Sequence, residues 1–120
     1  RLLRSAGVAL ELEEELLDAV TGVSGSGPAF VARLIEAFTA AGVAEGLPRE
    51  TAYRLVRATF SGTARLLDEK GLSPDELVTM VSSPGGTTVA GRRVLEASDY
   101  DRLIRDTVST AVARSKELGS

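Results

Sequence analysis

The chain has 120 residues, 43% of them hydrophobic and 26% charged, which is enough for one domain and too apolar for wholesale disorder. Fourteen basic against seventeen acidic side chains leave a net charge of −3, which argues against nucleic acid or an anionic membrane as the main partner. With no Cys, His or Trp, disulfides, thiolate chemistry, imidazole bases and indole stacking platforms are excluded, so chemistry has to come from hydroxyls, carboxylates, backbone groups or a bound cofactor.

No stretch of the sequence reads as a signal peptide or a membrane span. The longest apolar run, Pro28 to Phe38, is broken by Arg33 and Glu36 and falls short of the roughly 20 residues a span needs. The start at Arg1, with an apolar-and-basic turn Arg1-Leu2-Leu3-Arg4 and no Met, suggests a cut piece, and Gly119-Ser120 reads equally as native or as a cloning remnant. A soluble, cytoplasmic protein is the default expectation.

In chain order, Val8, Leu10 and Leu12 alternate with Ala9 and Glu11, which fits one short strand. A lone strand cannot pair with itself, so this one calls for a partner outside the chain or from a second copy. Glu13 to Val20 reads as a short helix, its crowded Glu11, Glu13, Glu14 and Glu15 suiting the positive end of the helix dipole. Such an acidic cluster more often serves capping than metal binding, and no metal is expected.

Thr21 to Gly27 reads as a small-residue loop, with Pro28 as the first residue of the helix behind it. Phe30, Val31, Leu34, Ile35, Phe38 and Ala41 recur at three- and four-residue steps, an amphipathic helix that Gly46 is placed to end. Pro48 opens a second long helix, with Ala52, Val56, Phe60, Thr63 and Leu67 on one face and Gly71 closing it. Ser73-Pro74-Asp75-Glu76 matches a capping box ahead of a short helix with Leu77, Val78 and Val81. A helix over Val89 to Ala97 follows, and Asp99 caps a last one striped by Leu103, Ile104, Val108, Ala111 and Val112. The pattern predicts an all-α domain with one short strand at its start. Ala and Gly beside the apolar faces let helix axes approach closely, and a single layer of such helices buries little by itself, so a second copy is expected to cover it.

Two segments invite a chemical reading. Ser82-Ser83-Pro84-Gly85-Gly86-Thr87-Thr88 exposes backbone N–H groups where a helix begins, a natural seat for a carboxylate or phosphate. Ser83, Thr87 and Thr88 add hydroxyls, while Gly85 and Gly86 let a ligand approach the backbone. Taken alone, the pattern reads first as a plain cap and turn between two helices. Ser24-Gly25-Ser26-Gly27-Pro28 fails as a dinucleotide fingerprint: no apolar strand precedes it, and no acidic residue stands at the ribose position. It is not a P-loop either, because no Lys-Ser or Lys-Thr follows. Lys and Arg are scattered, Arg92-Arg93 being the one adjacent pair, so no phosphate-tracking stripe forms.

Asp18-Ala19-Val20-Thr21-Gly22-Val23-Ser24-Gly25-Ser26-Gly27-Pro28-Ala29-Phe30, then Ala41-Gly42-Val43 and Gly46-Leu47-Pro48-Arg49, then Val81 to Thr88, closely resemble the C-terminal domain of pyrroline-5-carboxylate reductases. The likeness covers nearly the whole chain, in order, and its Ser-Ser-Pro-Gly-Gly-x-Thr element is specific to that family. It reverses the plainer reading of Ser82 to Thr88.

The resemblance implies an NADPH- or NADH-dependent reduction of 1-pyrroline-5-carboxylate to L-proline in proline biosynthesis. It implies a Rossmann domain, absent here, that binds the dinucleotide, and a helical dimerisation domain of the 6-phosphogluconate dehydrogenase C-terminal-like type. Residues 1–12 would be the tail of the dinucleotide domain, a helix end and a final strand, and residues 13–120 the helical domain, which forms homodimers that can assemble into decamers. N–H groups around Gly86, Thr87 and Thr88, with the Ser83 hydroxyl, would hold the substrate carboxylate. Thr88 matches the position whose hydroxyl bonds the ring nitrogen and assists its protonation. Ser26, Gly27 and Pro28 would lie toward the nicotinamide. Thr87, where some relatives carry Ala, would contact ligand or simply cap the helix. Alone, the chain is expected to lack turnover. Two alternatives stay open: a helical dimerisation module without a ligand site, and a related reductase of another small imino acid.

Overall fold

The computed structural model describes residues 2–5, 8–11, 13 and 16–119. β1 (Leu2–Ser5) and β2 (Val8–Glu11) pair antiparallel, Leu2 opposite Glu11 and Ser5 opposite Val8. The strand expected from the alternating run is therefore present, but its partner lies within the chain and not outside it. Leu2–Ser5, most of it within the stretch read as a turn or helix end, supplies that partner. Four residues carry too little periodicity to declare a strand. Arg1, Leu12, Glu14 and Glu15, on which the expected tail and acidic cluster partly rest, lie outside the described residues.

α1 (Leu17–Val20) continues through a π-helical turn (Thr21–Gly25) into α2 (Gly27–Ala44). The loop expected over Thr21 to Gly27 is thus corrected to helix. The Ser26 N–H reaches back five residues to the Thr21 carbonyl at 2.8 Å. The Thr21 and Ser24 hydroxyls donate to the Leu17 and Val20 carbonyls at 3.0 and 3.2 Å. Small residues here serve close packing: a Cβ on buried Gly22 would stand 2.5 Å from Val112 Cγ2 and 3.2 Å from the Val108 carbonyl of α6 (Tyr100–Gly119).

The continuous helix Leu17–Ala44 is 28 residues long, and its most apolar 18-residue stretch has a mean hydropathy of 1.2, so it is long and apolar enough by length and composition to cross a membrane. The expectation that no segment reaches that limit ends the apolar run at Phe38, whereas the helix carries on through apolar and small residues to Ala44.

The chain divides into two compact units, one formed by residues up to Arg33 and from Asp99 onward, the other by Leu34–Ser98. In the second, α2 ends in a double hydrogen bond: Leu47 N–H to the Gly42 carbonyl at 3.1 Å and Gly46 N–H to the Val43 carbonyl at 3.0 Å. Gly46 has φ +104°, so this is a Schellman stop at the predicted glycine. α3 (Arg49–Lys70) then turns back along α2. Gly42 meets Ala52, where an added Cβ would come within 3.1 Å of the Ala52 methyl, and Phe38 meets Phe60 edge-on at 5.5 Å. Arg49 pairs with Glu36 at 2.8 Å, and Gly71, φ +61°, closes α3.

α4 (Pro74–Val81) starts on the predicted capping box: Glu76 N–H to the Ser73 hydroxyl at 3.1 Å, and Ser73 N–H to the Glu76 carboxylate at 2.9 Å. α5 (Thr87–Glu96) begins two residues before the expected Val89. Asp99 precedes α6, its carbonyl accepting the Leu103 N–H at 3.0 Å and its carboxylate lying 3.8 Å from Arg102 Nη1.

Among the described residues, Gly22, Thr39, Ala52 and Leu77 are buried. As expected of a single layer of helices, much of the apolar striping stays uncovered within the chain: Val31, Leu34 and Phe38 on α2 are exposed, as is Leu103 on α6 at 66%, and Val94 on α5 adds to them. Apolar exposure on that scale marks an interaction surface.

Candidate functional site

The segment leaving α4 is built to reverse the chain and start a helix at once. Ser82 exits in an extended conformation, φ −109° and ψ 90°. The Ser83 carbonyl then accepts the Gly86 N–H at 3.0 Å across Pro84 and Gly85. Gly85 has φ +72°, which with proline before it makes a type II turn. Gly86 follows in an extended conformation, φ −83° and ψ 179°, and a Cβ there would press within 3.1 Å of the Ser83 carbonyl. Pro84, Gly85 and Gly86 are each explained by this geometry.

α5 starts immediately after Gly86 with no side-chain cap. Its first closing bond runs from the Ala90 N–H to the Gly86 carbonyl at 3.3 Å. The N–H groups of Thr87, Thr88 and Val89 find no acceptor among the described residues, at a helix end carrying about half a positive charge. Ser83 and Thr87 are exposed, and Thr88 and Val89 are half-buried. The turn gathers Ser83, Gly86, Thr87 and Thr88, but it uses the Gly86 N–H internally. Val89, which the sequence pattern marks only as the start of the helix, supplies the third amide.

Ser26, Gly27 and Pro28 make a different helix start. The Ser26 N–H is bonded to Thr21, Pro28 has none, and the Ala29 N–H returns to the Ser26 carbonyl at 3.1 Å. Gly27 alone of these offers an amide, and the π turn before it is no strand-to-helix phosphate loop. The residues here do not fit a dinucleotide pyrophosphate.

Elsewhere, a cleft of about 450 Å³ runs beside α4, lined by Leu72, Asp75, Glu76, Thr79 and Met80. A second, of about 500 Å³, is lined by Phe30, Asp106, Thr107, Thr110, Ala111 and Arg114. Neither includes the Ser83–Thr88 turn, and neither converges unpartnered amides as that turn does.

Comparison with known proteins follows the same segments. The family described as pyrroline-5-carboxylate reductase dimerisation matches residues 14–118. Pyrroline-5-carboxylate reductase of Synechocystis is 48% identical over 118 residues, 98% of this chain and 44% of the relative. That of Methanosarcina acetivorans is 43% identical over the same length, again 98% of this chain and 44% of the relative. The crystal structure of Plasmodium falciparum pyrroline carboxylate reductase with NADP bound superposes with a TM-score of 0.87 at 34% identity, covering 92% of this chain and 42% of that one. The chain therefore spans less than half the length of these relatives. The helical fold is theirs, and since the match runs from α1 through the turn and along α6, the chain belongs to the pyrroline-5-carboxylate reductase dimerisation family.

Proposed function

We propose that the chain is the dimerisation and substrate-binding part of an NAD(P)H-dependent reductase that converts 1-pyrroline-5-carboxylate to L-proline. The observation that carries this reading is the trio of unpartnered amides at Thr87, Thr88 and Val89, set beside the Ser83 and Thr88 hydroxyls in a chain of this family. Such a trio recognises a carboxylate through main-chain donors and a helix dipole, with no cationic side chain required.

In this proposal the three amides and the Ser83 hydroxyl hold the carboxylate and fix the ring's orientation. The Thr88 hydroxyl bonds the ring nitrogen, which takes up a proton as the imine is reduced. The dinucleotide, when bound, supplies the hydride that the imine carbon accepts. Since the Ser26–Pro28 helix start does not suit a pyrophosphate, the dinucleotide is held mainly by a domain outside these 120 residues, with Ser26, Gly27 and Pro28 toward its nicotinamide end. Residues 1–12 are assigned to the tail of that domain and 13–120 to the helical one.

The exposed faces of α2, α5 and α6 are assigned to a homodimer, whose further assembly into decamers belongs to the same reading. That assignment also accounts for the apolar Leu17–Ala44 helix. Arg33 and Glu36 lie within it, and charges of that kind are costly in hydrocarbon but are tolerated at a protein interface. A cytoplasmic location goes with it.

Calorimetry with L-proline tests the reading. The chain should bind it, and Thr88→Ala should weaken binding by about threefold to tenfold, the worth of one hydrogen bond. An absence of binding to the unaltered chain would leave a dimerisation module without a ligand site. NADPH and pyrroline-5-carboxylate added together should give no loss of cofactor absorbance; turnover would place the dinucleotide site within these residues.

A further inference from the structure

Arg92, six residues past Gly86 on α5, reaches back to the end of α4. Its Nη1 donates to the Ser82 hydroxyl at 3.2 Å. The rest of its guanidinium is held by Glu96 one turn on: Nε to Oε2 at 3.0 Å and Nη2 to Oε1 at 3.4 Å. An Arg–Glu pair four residues apart on an exposed helix contributes little by itself. This one differs in joining two helices: the Arg92 side chain is 34% exposed, and Ser82 is half-buried.

Ser82 is where the chain leaves α4, directly before the residue whose carbonyl closes the turn. Its own N–H makes a long bond, 3.3 Å, to the Thr79 carbonyl. Between that bond and the start of α5, the Ser83–Gly86 bond is the one main-chain tie among the described residues. The Arg92–Ser82 bond adds a second, from side chain to side chain, and spans the whole turn.

We propose that Arg92, immobilised by Glu96, is a positioning residue: through Ser82 it sets the Ser83 hydroxyl and carbonyl relative to the Thr87, Thr88 and Val89 amides. The significance for ligand binding rests on the reading of that turn as the carboxylate seat; the mechanical tie does not. Losing the tie leaves the turn on its Ser83–Gly86 bond, so the turn opens more often and its amides are less well ordered for a carboxylate.

Amide hydrogen exchange on the ¹⁵N-labelled 120-residue chain, with L-proline affinity measured in parallel, tests this. Arg92→Ala should speed exchange of the Gly86 amide by about fivefold to tenfold while the amides in the middle of α3 exchange as before, because the lost tie is local to the turn. Arg92→Lys, which keeps the charge without the fork, should fall between, and Arg93→Ala should match the unaltered chain. Proline affinity should drop in Arg92→Ala by a similar factor. Gly86 exchange that is the same in Arg92→Ala and the unaltered chain overturns the proposal. If Gly86 responds but the unaltered chain binds no proline, the substrate reading falls and the hold of Arg92 on the turn stands.

Discussion

Ser115 donates its hydroxyl to the Asp18 carboxylate at 2.6 Å, joining α6 to α1 across 97 positions of sequence. One turn further along, Gly22 faces Val112, so the two helical segments run antiparallel and pack closely at the glycine. Gly22→Ala should therefore destabilise the chain by about 1–3 kcal/mol, since the new methyl overlaps Val112 and crowds the Val108 carbonyl. Gly25→Ala, whose Cβ would meet Thr21 Cγ2 at an ordinary 3.6 Å, should stay within about 0.5 kcal/mol. Urea denaturation of the two variants checks the contrast.

The α4 capping box gives a pH signature. The Ser73 N–H first, and the Ser73 hydroxyl second, hold the Glu76 pKa below its usual value. A carboxyl with a depressed folded pKa takes a proton less readily when folded than when unfolded. Its stabilisation is therefore present above the unfolded value of about 4.3 and is lost as pH falls through the folded one. Thermal unfolding of Glu76→Gln should show a shallower acid limb than the unaltered chain below that pH, and the same slope above it.

At Gly85 the backbone itself is the constraint. With φ +72° and no atom within 4 Å of the place a methyl would take, Gly85→Ala should cost about 1–2 kcal/mol of turn stability through conformation alone. Gly85→Asn, which tolerates the left-handed region, should cost less. Exchange of the Gly86 amide ranks the two.

Thr87 separates main-chain from side-chain recognition. If its amide is what holds the ligand, Thr87→Ala should keep proline affinity within about twofold, the hydroxyl being exposed and outside the capping pattern. Calorimetry of that variant beside Thr88→Ala decides it.

What the sequence declares is local. The Ser73–Glu76 box and the glycine stops at Gly46 and Gly71 lie where expected because each depends on residues within one turn. Thr21 to Gly27 reads as a loop and folds as helix because Gly and Ser that allow close packing against α6 look the same as Gly and Ser that make a loop. β1 escapes the pattern because Leu2–Ser5 is too short to show a period, and its pairing lies in the partner strand. At the candidate site, the punctuation Pro84-Gly85-Gly86 announces a turn and a helix start. Whether Thr87 or Val89 comes first decides which amides remain open, and Gly86 as the capping residue settles it. The Arg92–Ser82 bond spans ten residues, a separation with no helical or strand period to reveal it.

The most direct test follows the backbone amides while L-proline is added to the ¹⁵N-labelled chain. The account predicts saturable shifts centred on the Thr87, Thr88 and Val89 amides, with Ser83 moving alongside them. Shifts centred on another part of the molecule, or none as proline reaches tens of millimolar, would contradict it.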